Sequence, residues 1–346
     1  MKNSIITYSI LGILLGACNP LPADNLPLQA LDTDSVQADT FASQQKEAKP
    51  VDRQPLLQKG DIQLKEELLF DRYTLEDEYV YNKVQRSFKW EYVKSVLAHI
   101  ENMQEDSRRW GVVQNYKNRN GEAPLVKNYR RNAYRRTADT LGIERYQSAP
   151  LYHLTDSIHP VRYARDGSVV HICARTGGYY QIELHADSSQ WFIPQRYLKE
   201  LPDTVYFSHV ILVDRKDQHI ATLERKERGH WLIRSKNPAT TGRNKPPYAQ
   251  PTPLGVYLVQ EQKKKMVYLK DGSSQTAGYA PYASRFTNGA YIHGVPVELP
   301  RTKTIEYSWS LGTTPRSHMC VRNATSHAQF IYEWAPVRNS LVVVIE

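Results

Sequence analysis

One thiol near the carboxyl end has neighbours that could support nucleophilic chemistry. Cys320 lies in the run SHMCVR at 317–322, and His293 lies upstream in YIHG at 291–294. A thiol attacks a carbonyl carbon as the thiolate, and a nearby imidazole can accept its proton and later return it to a leaving amine. The sequence therefore indicates a Cys–His acyl-transfer site. A buried structural cysteine beside unrelated histidines is the alternative.

Four segments in the same order resemble the catalytic domain of the YkuD-type L,D-transpeptidases. They are ILVDR at 211–215, TPLGVY at 252–257, HG at 293–294 and SHMCVR at 317–322, so the resemblance covers about 204–346. Two features depart from the family pattern. Met319 replaces the glycine that precedes the cysteine, and the spacer between His293 and Ser317 is 23 residues long, which we interpret as a loop insertion.

The resemblance implies a role for each residue of the candidate site. Cys320 would be the nucleophile, His293 its base, and the carbonyl of Gly294 the group that orients the imidazole. Backbone N–H groups of His318, Met319 and Cys320 would face the oxyanion. The residues implied to contact substrate are Tyr291, Ser317 and Arg322.

Two of these residues carry further expectations. A non-glycine residue at positive φ is strained, so we expect Met319 at negative φ, with its side chain turned away from the thiol. His318 has an alternative role as a core histidine that bonds a carbonyl.

The implied substrate is a stem tetrapeptide of peptidoglycan, and no cofactor is implied. Transfer to an amine of a neighbouring stem gives a 3→3 cross-link, whereas transfer to water makes the enzyme an L,D-carboxypeptidase. Three other interpretations stay open: a non-catalytic peptidoglycan-binding lipoprotein, an NlpC/P60-type peptidase, and a metal site from His293, His318 and Cys320. In an NlpC/P60-type enzyme the cysteine precedes the histidine, and His327 follows Cys320 too closely for that pattern.

The amino-terminal residues have the features of an export signal. Lys2 precedes an apolar stretch at 5–15 that ends in Leu-Gly-Ala-Cys18, which resembles a bacterial lipobox. We therefore expect a signal peptide at 1–18, lipidation of Cys18, and attachment to a membrane on the periplasm-facing side of the cell envelope. Residues 19–60 are rich in polar residues and proline and predict a flexible tether.

The net charge of +9 would suit nucleic acid, an acidic polymer or an anionic membrane surface. Export argues against nucleic acid. If Cys18 carries lipid, only Cys173 and Cys320 remain. Cys173 lies in an apolar, strand-like run and is expected in the core. A Cys173–Cys320 disulfide would remove the nucleophile.

The remaining pattern predicts a multidomain α+β protein. Residues 61–148 are expected to be helical, because apolar residues recur at helical spacing over 90–103 and a second helix is indicated over 125–141. Residues 149–203 predict five short strands in a small SH3-like β-barrel. Residues 204–346 predict a mostly-β, sandwich-like catalytic domain, with strands that include 205–207 and 332–334.

Overall fold

The computed structural model describes residues 55–105, 109–185 and 188–346. Cys18, the signal segment and all of the tether before residue 55 lie outside these residues. In chain order, the helices and strands of the first part are β1 (Gln63–Glu66), β2 (Glu78–Tyr81), β3 (Val84–Ser87), α1 (Trp90–Glu105), β4 (Arg109–Val113), β5 (Arg130–Arg131), β6 (Thr137–Ala138), β7 (Ser148–Leu151), β8 (Arg162–Arg165), β9 (Val169–Thr176), β10 (Tyr179–Leu184), β11 (Gln190–Pro194) and β12 (Leu198–Glu200).

The second part consists mostly of strands. Its elements are β13 (His209–Asp214), β14 (His219–Glu227), β15 (His230–Pro238), β16 (Gly255–Leu258), β17 (Glu261–Leu269), β18 (Thr276–Thr287), β19 (Ala290–His293), β20 (Val297–Glu298), β21 (Val321–Arg322), α2 (Thr325–Trp334) and β22 (Ser340–Ile345). Short 3-10 helices span Lys59–Asp61, Tyr116–Asn118 and Gln195–Tyr197. None of the described helices combines the length and the apolar character that crossing a bilayer requires.

Two sheets pack face to face in the carboxyl-terminal part. One has the strand order β1-β15-β14-β13-β22-β16 and the other β17-β18-β19-β21, with β20 paired to β18. Successive side chains of a strand point to opposite faces. Ile211 and Val213 of β13 therefore enter the core between the sheets, together with Phe286 and Ile292. The predicted sandwich is confirmed in this region.

Helix α1 covers the outer face of the larger sheet. Val93, Leu97 and Ile100 recur at helical spacing and pack in one core with Val210 and Leu212, the residues of β13 that alternate with the inner pair. The predicted helix over 90–103 is confirmed. Strand β1 adds a parallel edge to the same sheet by pairing with β15. Residues before 204 therefore help to build the larger sheet, which packs against the sheet that carries β19 and β21.

The middle of the chain forms a separate five-stranded sheet of order β11-β10-β9-β4-β12. The five strands predicted within 149–203 are present as β7 to β11. The sheet also recruits β4, which lies before residue 149, while β7 and β8 form a pair of their own. The SH3-like interpretation and the predicted boundaries stay predictions.

The helical prediction for the whole of 61–148 is wrong. Among its described residues only α1 is an α-helix, and 125–141 holds the two-residue strands β5 and β6. Leu125, Tyr129 and Leu141 are exposed, so the segment has no continuous buried stripe. Arg135 turns at φ +57°, and the Asp139 carboxylate accepts backbone N–H groups of the following turn. These local bonds replace a helix.

Three smaller expectations are also wrong. Residues 205–207 are irregular, although Phe207 is fully buried in the α1 core. Residues 332–334 end α2, whose buried His327, Ala328 and Ile331 follow helical spacing. Cys173 is half-buried in β9, because the burial of that strand fades toward Thr176.

Candidate active site

A parallel strand pair brings the histidine and the cysteine together. Strand β19 ends at His293, and its partner β21 begins directly after Cys320, with His293 opposite Arg322 in the register. The backbone N–H of Asn323 donates to the His293 carbonyl at 2.9 Å and extends the pairing. His293, Cys320 and Arg322 consequently line one cleft of about 690 Å³.

The His293 ring is held in one orientation and one tautomer. It is 3% exposed, and its Nδ1 lies 2.6 Å from the carbonyl oxygen of Gly294. A carbonyl only accepts hydrogen bonds, so Nδ1 carries the proton and Nε2 has a free lone pair. Burial, opposed by the Gly294 carbonyl and assisted by the Arg322 guanidinium, lowers the pKa of His293 to about 4. The imidazole is therefore neutral at pH 7.

Cys320 is a free, half-buried thiol, so it forms no disulfide with Cys173. Burial raises the pKa of Cys320, while the backbone N–H of Tyr291 and the charge of Arg322 lower it. Its Sγ donates to the carbonyl oxygen of Gly289 at 3.7 Å, and within the described part of the chain it has no hydrogen bond to His293. The resting state is a protonated thiol beside a neutral imidazole.

Side chains around the catalytic turn 317–320 fix its backbone. The buried Ser317 hydroxyl donates to the carbonyl of Cys320. The Thr252 hydroxyl accepts the Gly242 N–H at 2.9 Å and donates to the Met319 carbonyl at 2.8 Å. Gly242 lies so close to Met319 that a Cβ added at Gly242 would be 2.7 Å from the Cα of Met319. The turn is therefore held from both sides.

The sequence comparison decides the family of this region. Residues 208–345 match the family model described as YkuD, the L,D-transpeptidase catalytic domain. The carboxyl-terminal region is a YkuD domain. A comparison with curated protein sequences gives no significant match.

Several solved structures share weak similarity with the chain. An L,D-transpeptidase from Mycobacterium smegmatis aligns at 16% identity and a TM-score of 0.32, over 50% of this chain and 80% of that one. An L,D-transpeptidase from Mycobacterium tuberculosis H37Rv aligns at 20% identity and a TM-score of 0.32, over 53% and 92%. A fused Zn-dependent amidase/peptidase/peptidoglycan-binding domain-containing protein from Clostridium acetobutylicum aligns at 16% identity and a TM-score of 0.29, over 40% of this chain and only 52% of that one.

The backbone φ of Met319 differs from the expectation, whereas its side chain points away from the thiol as expected. The predicted negative φ is wrong, because φ is +80°. The hydrogen bond from Thr252 to the Met319 carbonyl and the contact with Gly242 hold this conformation. A strained backbone conformation persists where several surrounding contacts fix it. The side chain packs against the core between the two sheets of the YkuD domain, away from the cleft.

Two other predicted residues are engaged differently from expectation. His318 is exposed, and its Nε2 lies 3.1 Å from a carboxylate oxygen of Asp271 at the tip of the β17–β18 hairpin, so the core role is wrong. Ser317 is 1% exposed and its hydroxyl already bonds Cys320. Ser317 therefore shapes the turn and exposes little surface to the cleft that it lines.

Tyr291 and Arg322 line the same cleft as His318 and Ser317. The Tyr291 hydroxyl donates to Glu261 at 3.2 Å, and burial raises its pKa. The Arg322 side chain has no ion pair among the described residues, and its Nε is buried without a partner. The backbone N–H groups of His318, Met319 and Cys320 likewise have no acceptor within that part of the chain.

Sequence reasoning missed most of the other side chains that line the same cleft, and three of them matter most here. Tyr116 and Lys117 come from the middle region and Tyr268 from β17. Tyr116 is about 200 positions from Cys320, and no local pattern connects the two. No group of three or more metal-binding side chains occurs in the part of the chain that the structure describes.

Proposed function

We propose that the protein is a cell-wall L,D-transpeptidase that forms 3→3 cross-links in peptidoglycan through an acyl-enzyme on Cys320. The observation that carries the proposal is the His293 tautomer. Its Nε2 is left free and basic by the bond between Nδ1 and Gly294, in the same cleft as the only free thiol of the described residues.

Acylation begins from the neutral pair of thiol and imidazole. Because the pKa of Cys320 is raised and that of His293 is lowered, a preformed thiolate–imidazolium pair is disfavoured. The proton therefore passes from Sγ to Nε2 as sulfur attacks the carbonyl carbon of the diamino acid. The thiol must first rotate away from the Gly289 carbonyl, and catalytic hydrogen bonds often tighten only when substrate binds.

The tetrahedral intermediate then collapses to the thioester. Its oxyanion accepts hydrogen bonds from the unpaired N–H groups of the catalytic turn, which is where electrostatic stabilisation has its largest effect. The bond between carbon and nitrogen breaks, and the leaving D-alanine takes the proton from His293 Nε2.

Substrate binding is assigned to the two unpartnered polar groups in the cleft. Arg322 and Tyr268 both hold a buried polar atom without a hydrogen bond. A buried donor without a partner is costly, so a ligand carboxylate that supplies one binds favourably. Arg322 would bind a carboxylate of the donor peptide and Tyr268 would donate a second hydrogen bond.

Deacylation by an amine of a neighbouring stem gives the cross-link, with His293 accepting the amine proton as sulfur leaves. With water instead, the same steps give a tripeptide and an L,D-carboxypeptidase. The products decide between them: incubation with purified tetrapeptide muropeptides should release D-alanine and yield a dimer with a bond between two diamino acids. Tripeptide without dimer would identify the carboxypeptidase. If neither product forms, the non-catalytic binding protein is the better interpretation.

The proposal also includes a lipid anchor. The Leu-Gly-Ala-Cys18 motif supports attachment of the mature protein to a membrane of the cell envelope, and an SH3-like middle region would accompany the enzyme. Diacylglyceryl modification supplies the two chains that stable anchoring requires. Wild-type protein should partition into detergent, and Cys18→Ser should not. Equal partitioning of the two would refute the anchor.

A further inference from the structure

A loop from the middle region reaches the catalytic cleft. The segment Asn115–Gly121 follows β4, and its residues Tyr116 and Lys117 line the cleft together with Cys320. The Tyr116 ring lies against the Arg285 guanidinium, whose Cζ is 4.2 Å from the ring centroid, and Tyr116 is close enough to Tyr291 to help burial raise the pKa of Tyr291. The loop is thus part of the wall of the cleft.

The loop is rigidly built. Lys117 and Asn118 both have φ of +55°, a strained conformation for residues other than glycine. The Lys117 N–H donates to Gln147 at 2.8 Å, and the Gln147 N–H donates to Asn118 at 2.7 Å. The Asn115 amide donates to the carbonyls of Gly121 and Ser148. A backbone held this firmly presents its side chains in fixed positions.

A buried ion pair attaches the loop to the YkuD domain. Asp166 is fully buried, accepts the Asn115 N–H at 2.8 Å through one oxygen, and accepts from Arg285 of β18 at 2.6 Å through the other. Next to it, Gly167 packs so closely on Phe286 and Gln260 that a side chain would collide with them. The buried ion pair and the close packing at Gly167 therefore fix the position of the loop, and with it that of Lys117, relative to the YkuD domain.

The charges in the cleft favour an anionic ligand at this wall. Lys117 is exposed and forms no ion pair among the described residues, whereas Arg136 beside it is bound to Glu144 at 3.0 Å. On the YkuD domain, Arg322 and the exposed Lys270, which bonds only Gln275, also line the cleft without an ion pair in the described part of the chain. The cleft thus presents one unpaired cation on the wall formed by the middle region and two on the YkuD domain, of which Arg322 is two residues from Cys320.

We propose that Tyr116 and Lys117 are specificity-determining residues, and that Lys117 binds a carboxylate of the donor peptide other than the one bound by Arg322. This assignment rests on the proposed function, since it names the recognition of that same donor. A peptide with two separated carboxylates would span the cleft between Lys117 and Arg322 and would place the carbonyl between them at Sγ.

The test measures binding to the Cys320→Ala protein, so that it does not require turnover. The ligands are a stem tetrapeptide with all carboxylates free and an analogue in which every carboxylate except the terminal one is amidated. Calorimetry should show that Lys117→Gln weakens binding of the free peptide about 5- to 20-fold, as loss of one charge-assisted contact would. Lys117→Gln should not weaken binding of the amidated analogue. Lys117→Arg should bind the free peptide nearly as tightly as the Cys320→Ala protein does.

The matched control is Lys199→Gln, an exposed lysine on β12 that does not line the cleft. Thermal melting of each variant checks that the strained loop still folds. A loss that is equal for both peptides, a loss equal to that of Lys199→Gln, or no loss would each overturn the assignment. Absence of an acyl adduct in wild-type protein would refute the catalytic proposal but would leave carboxylate-dependent binding by Lys117 intact, so the two failures are distinguishable.

Discussion

The Nδ1 atom of His293 lies 2.6 Å from the carbonyl oxygen of Gly294, the next residue in the chain. This bond leaves Nε2 as the ring nitrogen that could act as a base, and no acidic side chain among the described residues hydrogen-bonds the ring. A backbone acceptor stabilises an imidazolium less than a carboxylate would, in keeping with the lowered pKa of His293. The site therefore favours proton transfer during attack over a standing ion pair.

The first prediction concerns the positive φ of Met319. Glycine should be better tolerated than alanine here, so Met319→Gly should be more stable than Met319→Ala by about 1 kcal/mol. At a negative φ the order reverses, because glycine loses more chain entropy on folding. Urea unfolding of the two variants measures the difference. An alanine variant as stable as the glycine variant, or more so, would show that φ is not positive.

The second prediction concerns the contact beneath the turn. Gly242→Ala would push a methyl group into the Gln250 carbonyl and the Met319 backbone and should lower the free energy of unfolding by about 1–3 kcal/mol. It should also slow acylation, because the Cys320 turn would shift. Gly60→Ala is the matched control, since nothing lies within 4 Å of a Cβ there. Equal stability of the two variants would contradict the contact.

The third prediction follows from the charge of Arg322. Its guanidinium lowers the pKa values of both Cys320 and His293, in each case as a smaller influence than burial. Arg322→Gln should raise both pKa values, so both limbs of the pH profile for Cys320 acylation should move to higher pH. Arg316→Gln, in the neighbouring loop, is the control because Arg316 is not among the charges that act on either group. An unmoved acid limb would argue against the assigned electrostatics.

The fourth prediction concerns acid stability. His327 is fully buried beside Phe70, and burial lowers its pKa to about 3. Its neutral form stabilises the fold above the unfolded pKa of about 6.5, and this contribution is lost as the pH falls toward 3. Between pH 8 and 5 the loss is about 2 kcal/mol. His327→Gln should remove that part of the pH dependence in urea unfolding, with pH 8 as the baseline. An unchanged difference between pH 8 and 5 would exclude His327 as its source.

The sequence predicted the parts of the fold and site that depend on local patterns. Cys320, His293 and the Gly294 carbonyl could be placed because they lie in two short motifs, and α1 because Val93, Leu97 and Ile100 repeat on one face. The φ of Met319 could not be predicted in the same way. It depends on Thr252 and Gly242, which are distant in sequence.

The same limit explains the other misses. The segment 125–141 looked helical from its composition, but Asp139 bonds its own turn, and the exposed leucines have no surface to cover. Lys117 lies in no sequence motif that would mark it as a site residue. Its place in the cleft follows from the Asp166–Arg285 ion pair, which joins two parts of the chain 119 positions apart.

The central claim is that Cys320 forms an acyl-enzyme with a stem peptide, and the mass of the intact protein tests it most directly. Wild-type protein mixed with a tetrapeptide and quenched in acid should gain the mass of the tetrapeptide less one D-alanine, and peptide mapping should locate the adduct on Cys320. The Cys320→Ala protein should gain nothing and should release no D-alanine. Release of D-alanine by Cys320→Ala, or an adduct on another residue, would contradict the account.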